Sequence, residues 1–413
     1  MNGRVLLICY YFPPMGLAGV GRPLNLFKQL PRLGWACDVL TVKPVTYWAY
    51  EPELLEGLNK ERIFRSGSSD PQRIMHLLGL RHLKTSARAA TSKVAERFFP
   101  DSKRGWVRPA VRLGRTLIEN YRHDVILSTS PPISSHLVGR QLAKDFSLPW
   151  VADFRDFWTS WTVEQTYDKP RLVKKGNRLL ETIRTETAAV TGVNDKIIDY
   201  LGGGDVIPNG FDSDRMVGWN SPPDPDRYAI GVLGNLHDTR VIDPLAEVLG
   251  RVRETAPELF DRAGLIQVGS VDPEWLRAEL AEHKLADRCE IHGYQPREKT
   301  VVLLSKTSLL YIGMSDELDP VIVPSRTFDL LASGRPILAY APPDSGLARL
   351  IAETGNGFCF YKDTVDAAAE YVRGQLSAHA EGRLEPHALP EYSRPYSAET
   401  LAERFASVLE KVV

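Results

Sequence analysis

Two stretches of this chain combine residue types that can hold phosphate and sugar hydroxyls. In the first, Gly16, Gly19 and Gly21 stand just before a helix signal carrying Pro23. Glycines there let the backbone approach a phosphate closely. Their spacing is G-x-x-G-x-G rather than the G-x-G-x-x-G of dinucleotide folds, and no acidic residue clearly ends the next strand. A merely structural turn is the alternative. The second stretch, Pro324–Pro336, reads PSRTFDLLASGRP. Pro324 and Ser325 signal a helix start, Phe328, Leu330 and Leu331 form its apolar face, and Gly334 ends it. A helix N-terminus attracts a diphosphate. Asp329, more than one turn in, offers the two acceptors that a ribose diol needs. A solvent-facing aspartate is the plainer reading.

The elements that must position these residues follow from the hydrophobic pattern. At 413 residues the chain is expected to form two domains. It is 43% hydrophobic and 25% charged with a formal net charge of -1, which gives no call for nucleic acid or for disorder. Cys9, Cys37, Cys289 and Cys359 show no metal-ligand spacing, so reduced thiols and a cytosolic location are expected. Residues 4–9 (RVLLIC) read as a buried parallel strand rather than a signal peptide, since the run is short and stops at Pro13-Pro14. No stretch is long enough for a membrane span. Further strands are expected at 37–42, 125–128, 150–153, 188–191 and 206–207, completing a Rossmann-like domain over 1–215. Proline-rich WNSPPDPD places a linker at 216–226. A second alternating series, with strands at 228–233, 265–268, 290–292, 308–312, 336–340 and 358–361, gives a second such domain over 227–392. The segment 393–413 ends in an amphipathic helix that could pack back on the first domain. Ligands of such folds bind beyond the carboxyl ends of the strands, which points to a cleft faced by both domains.

Six pieces of the sequence then occur in a familiar order. They are YYFPPMGLAGVGRPLNLFKQLPRLGW, DVILSTSPPISSHLVGRQLAKDFSLPWVADFRDFW, VIPNGFD, GVLGNLHDTR, IHGYQPREK and PSRTFDLLASGRPILA. On these the chain resembles the family-4 glycosyltransferases of the GT-B fold, and the SPP plus DFRDFW pair is similar to a bacterial subgroup that builds surface polysaccharides and other glycans. The resemblance implies an α/β fold of two doubly wound parallel-sheet domains. It implies sugar transfer from a nucleotide-diphosphate sugar, with retention, to a glycan or lipid-linked acceptor. Asp329 falls where such enzymes place a glutamate on the donor ribose, Arg240 aligns with a diphosphate-neutralising residue, and Gly16, Gly19 and Gly21 match a loop near the donor. Val323, Pro324, Ser325 and Arg326 line the same entry, and His237 lies near Arg240. Three positions depart from the family. Val321 replaces its first glutamate, whose role Asp316, Glu317 or Asp319 would have to take; Asn235 replaces an arginine; Arg155 replaces a histidine facing the transferred sugar.

Stabilising the leaving diphosphate is the main task in such a transfer, and Arg240, Arg326 and helix N-termini could perform it without a metal. Asp156 or Asp153 is the candidate acceptor-side base, the alternative being an Arg155–Asp156 pair that only holds the loop. His136 is expected to cap or pack at a helix start. Between Pro71 and His123 twelve basic residues face three acidic ones, interleaved with Leu77, Leu78, Leu80, Leu83, Phe98, Phe99 and Trp106. That mixture suits either peripheral contact with anionic lipid on the inner face of the membrane or a solvated basic face. A nucleotide-sugar epimerase and a non-catalytic nucleotide-sugar-binding subunit are the rival readings.

Overall fold

The computed structural model describes residues 2–16, 18–44, 50–78, 98–156, 170–219, 221–234, 236, 239–314, 321–384 and 389–413. The chain divides into two compact units, Met1–Gly210 with Ala398–Val413, and Phe211–Ser397.

In the first unit the strands are β1 (Gly3–Ile8), β2 (Trp35–Val42), β3 (Ile63–Ser66), β4 (Val125–Ser130), β5 (Trp150–Phe154), β6 (Ala189–Gly192) and β7 (Asp205–Val206). They form one parallel sheet in the order β3-β2-β1-β4-β5-β6-β7. Strand β1 is central because Val5–Ile8 are apolar on both faces and wholly buried. The helices Val107–Tyr121 and Ser134–Phe146 cover the sheet and touch at Gly114, where a Cβ would lie 2.4 Å from Leu142 Cδ1. The terminal helix Ala398–Val412 buries Leu401, Phe405 and Leu409 in this same core. The short edge strand β3 was not among the expected strands. Its IFRS sequence is only partly buried and carries Arg65, so its alternation is weak.

In the second unit β8 (Tyr228–Leu233), β9 (Ala263–Val268), β10 (Cys289–Ile291), β11 (Leu309–Gly313), β12 (Ile337–Tyr340) and β13 (Gly357–Phe360) run parallel in the order β10-β9-β8-β11-β12-β13. Separate apolar clusters pack on its two faces, one around Leu245, Leu249 and Val372, the other around Phe328, Leu331 and Leu347. The proline-rich stretch 216–226 lies within this unit. Arg335, wholly buried, donates to the carbonyls of Trp219 (3.0 Å), Ser221 (2.8 Å) and Thr307 (2.7 Å). Prolines exclude the stretch from helix and sheet but not from being packed. Among the described residues no helix is long and apolar enough to cross a membrane.

Candidate functional site

Each sheet has one point where the strand order reverses, between β1 and β4 in the first unit and between β8 and β11 in the second. Loops leaving such neighbouring strands diverge to opposite faces and open a crevice at the carboxyl edge. An arginine stands at each of these points.

In the first unit it is Arg155, immediately after β5. Its Nε donates to Ser130 O at 2.9 Å, Nη2 to Pro131 O at 2.8 Å, and Nη1 to Gly19 O. One buried guanidinium thus joins the loop after β1 to the loop after β4. A Cβ on Gly19 would sit 3.2 Å from Nη1, which explains a glycine there without a ligand. Gly16 is held similarly: a Cβ would lie 2.2 Å from Glu51 Oε1, and a phosphate at that spot would meet a carboxylate. Gly21 has open space around it, at the start of the helix Gly21–Gln29, whose N-terminus has no side-chain cap.

Asp153 is wholly buried and accepts from Arg22 Nε (3.0 Å) and Nη2 (2.7 Å), Thr129 Oγ1 (2.7 Å) and Thr191 Oγ1 (2.8 Å). Burial alone would raise its pKa. Arg22 and the two threonines outweigh that and hold the carboxyl below its usual range. Arg22 also donates to Pro208 O at 2.6 Å and stacks on Phe405, so the ion pair fixes three separate segments. Asp156 differs. It is exposed by area, yet crowding around its carboxyl desolvates it and raises its pKa, with Arg155 opposing. The structure does not pair it with Arg155; the loop is held by Arg155 and three carbonyls instead.

His136 packs 4.5 Å from the Phe154 ring, and burial pushes its pKa down to about 3. Trp150 Nε1 donates to Ser128 Oγ at 2.7 Å, and the same hydroxyl shares a hydrogen bond with His136 Nδ1 at 2.8 Å. Two nearby groups carried no chemical signal in the sequence. Asp101 accepts from Ser134 N and Oγ, both at 2.8 Å, and so closes the N-terminus of the helix Ser134–Phe146 with the protein's own carboxylate. Lys103 is buried against Asp70 at 3.3 Å, and Tyr10 donates to the same carboxylate at 2.6 Å. Lys103, Arg73, Phe99 and Trp106 are therefore core residues rather than part of a basic outer face. Arg104, Arg108, Arg112, Arg115 and Arg122 are exposed, whereas Arg81, Lys84, Arg88, Lys93, Arg97, Leu80 and Leu83 lie outside the described residues. Phe98, in a turn beside Phe99, is only partly buried.

In the second unit the arginine is Arg326, first residue of the helix Arg326–Ala332. Its guanidinium lies flat on Gly234, just past β8, where a Cβ would fall 2.8 Å from Cζ. Gly234 also has φ +131°, so glycine is required twice over. Arg326 has no ion pair among the described residues, its Nε is buried without an acceptor, and burial lowers its pKa. Asp329 follows in the next turn, partly buried, while Ser325 is exposed and places no side-chain cap on the helix. Val323 packs on the apolar cluster around Leu347, Val321 is buried, and Pro324 O accepts from Thr327 N at 2.9 Å. Asn235, His237, Asp316, Glu317 and Asp319 lie outside the described residues. Arg240 is placed by its backbone alone, in the first turn of the helix Thr239–Thr255.

No protein-family model and no curated protein matches this chain. Solved structures do. A sucrose-phosphate synthase from Thermosynechococcus elongatus is similar at 16% identity and TM-score 0.61, over 99% of this chain and 98% of that one. The lipopolysaccharide outer core galactosyltransferase WaaB is similar at 12% identity and TM-score 0.58, over 99% and 100%. A structure provisionally named UDP-N-acetylglucosamine 2-epimerase, from Listeria monocytogenes, is similar at 11% and TM-score 0.55, over 99% and 96%. At these identities the likeness establishes the fold, which is GT-B, with two Rossmann-like parallel-sheet units.

Proposed function

We propose that this chain is a glycosyltransferase whose second unit binds a nucleotide-diphosphate sugar and whose first unit carries the acceptor-side groups. The observation that carries this reading is Arg326, a desolvated cation at the strand-order reversal with no ion pair among the described residues. A buried charge without a partner is costly, and a bound diphosphate would supply the missing partner in the fork geometry that guanidinium favours. Asp329, one turn further along, is the candidate for the ribose hydroxyls.

In this reading the sugar's anomeric carbon loses its bond to the diphosphate oxygen and gains one to an acceptor hydroxyl. Arg326 stabilises the departing negative charge, so no metal is needed. The acceptor's proton passes to Asp156 or to the diphosphate. Asp153 is not the base of this reading, since four donors already fill its carboxylate. Retention of configuration and a hexosyl donor rest on the sequence resemblance alone. A glycan or lipid-linked acceptor, with peripheral contact to anionic lipid, would draw on the exposed Ile74, Leu77 and Leu78 and on the exposed arginines of the helix Val107–Tyr121.

Incubation with a panel of nucleotide sugars and lipid-linked acceptors, in the presence of EDTA, tests the reading. Glycosylated acceptor plus free nucleoside diphosphate is expected. An isomerised donor would replace transfer with epimerisation, and binding without turnover would leave a binding subunit.

A further inference from the structure

The helix Val107–Tyr121 turns an almost wholly cationic face to solvent. Arg104, in the short turn before it, is followed by Arg108, Arg112, Arg115 and Arg122, and all five are exposed. At about 100° per residue, spacings of four, three and seven keep the last four within an arc of about 80°. Glu119 is the one other residue of the helix in that arc, so no apolar side chain falls there. Arg115 pairs with Asp145 at 2.8 Å. Arg104, Arg108, Arg112 and Arg122 make no ion pair among the described residues.

The fold works against such a face. Arg108 stands four residues from both Arg104 and Arg112, and Arg112 three from Arg115, spacings at which like charges destabilise a helix. The first turn holds no acidic residue and no side chain caps it. Arg104 and Arg108 therefore sit at the positive end of the helix dipole, where a cation is unfavourable. Neighbouring arginines of the helix are only about 4.5–6 Å apart along its axis, so one small anion cannot answer them all, whereas a chain of anions can. The stripe also has a direction. Trp106 Nε1 donates to Ser66 Oγ at 2.8 Å, and Ser66 ends β3, so Arg104 lies at the carboxyl edge of the sheet. Arg122, three residues before β4 begins, lies at the amino edge. From the edge that carries Asp156 the arginines lead away for about 27 Å.

We infer that this stripe is the track for the body of a linear anionic glycan whose end is presented at the carboxyl edge as acceptor. The inference rests on the proposed transfer reading and narrows its acceptor to a chain bearing carboxylates or phosphates along its length. Guanidinium forks match both groups. A lipid surface is taken by an apolar face flanked by cations, and this arc has no apolar side chain to insert.

The test uses the full chain and three probes: a hexamer of galacturonic acid, a hexamer of glucose, and phosphatidylcholine vesicles containing phosphatidylglycerol. In titration calorimetry the acidic hexamer is expected to bind, less tightly as salt is raised, and the neutral one not to bind. Arg108→Ala/Arg112→Ala should weaken the acidic hexamer about tenfold. Its melting temperature should hold or rise, because like-charged neighbours are removed. No binding of the acidic hexamer, or equal binding by the double variant, overturns the inference. A double variant that keeps the hexamer but floats less with the vesicles also overturns it, since the stripe would then face lipid. Transfer to neutral acceptors without hexamer binding sinks this inference alone. Stripe-dependent hexamer binding without transfer to any acceptor sinks the underlying reading instead.

Discussion

Arg155 and Arg326 occupy matching places in the two units, each at a reversal of strand order, yet their surroundings differ. Arg155 donates from each of its three nitrogens, to the carbonyls of Gly19, Ser130 and Pro131. Arg326 lies on a bare glycine with an unmet Nε and no counter-ion among the described residues. A guanidinium satisfied by its own fold is a fastening, and one left unsatisfied is prepared for something the fold does not supply. The carboxylates of the first unit divide in the same manner. Asp153 is saturated and held low, whereas Asp156 is raised and makes no hydrogen bond among the described residues. Residue type alone does not separate a ligand group from a structural one; the state of its hydrogen-bonding inventory does.

The comparison can be broken most forcefully at Arg326. Arg326→Ala is expected to lower kcat/KM for sugar transfer about 100-fold or more, the scale of losing one charge-stabilising donor. Its melting temperature should hold or rise, because a desolvated cation is removed; a clear fall would mean that Arg326 is structural. The reverse pattern is expected of Arg155→Leu. Orphaning buried carbonyls of two loops should cost roughly 2–4 kcal/mol in denaturant unfolding. Any loss of activity should then follow from loop disorder and be partly restored in Arg155→Lys. Full stability with lost activity would return Arg155 to a direct chemical role.

The aspartates sharpen the contrast through pH. As base, Asp156 must be ionised, so kcat should fall as pH drops through a pKa above the usual aspartate value, and that limb should disappear in Asp156→Asn. A limb unchanged in Asp156→Asn would assign it to another group. Asp153 acts on stability. Its folded pKa lies below its unfolded one, so its contribution is complete above the unfolded value and is lost as pH falls through the folded value. Stability should therefore be level near neutrality and decline only on the acid side of the ordinary carboxylate range. Asp153→Asn should remove part of that acid dependence and also lower stability at neutral pH, because it leaves Arg22 buried without its counter-ion.

Much of this was legible in the sequence. Continuous apolar runs such as VLLI, and alternating segments punctuated by glycine and proline, marked twelve of the thirteen strands of the two sheets, and hence the edges where ligands bind. Arg326 was visible as a basic residue just inside a helix start. What the sequence could not carry were tertiary partners. Lys103 and Arg73 counted as surface charge until Asp70 and Lys43 O were found beside them. Arg155 looked chemical because its three acceptors are backbone atoms, which have no sequence signature. Asp101 was one acid in a basic stretch, and only folding brought it to Ser134.

The most direct measurement is the melting temperature of the wild-type chain and of Arg326→Ala with a panel of nucleoside diphosphates. A ligand that binds only the folded state at 100 times its Kd adds about 2.7 kcal/mol. One nucleoside diphosphate should therefore raise the wild-type melting temperature by several degrees and leave Arg326→Ala unmoved. Equal shifts in both proteins, or none in the wild type with any nucleotide, would contradict the account.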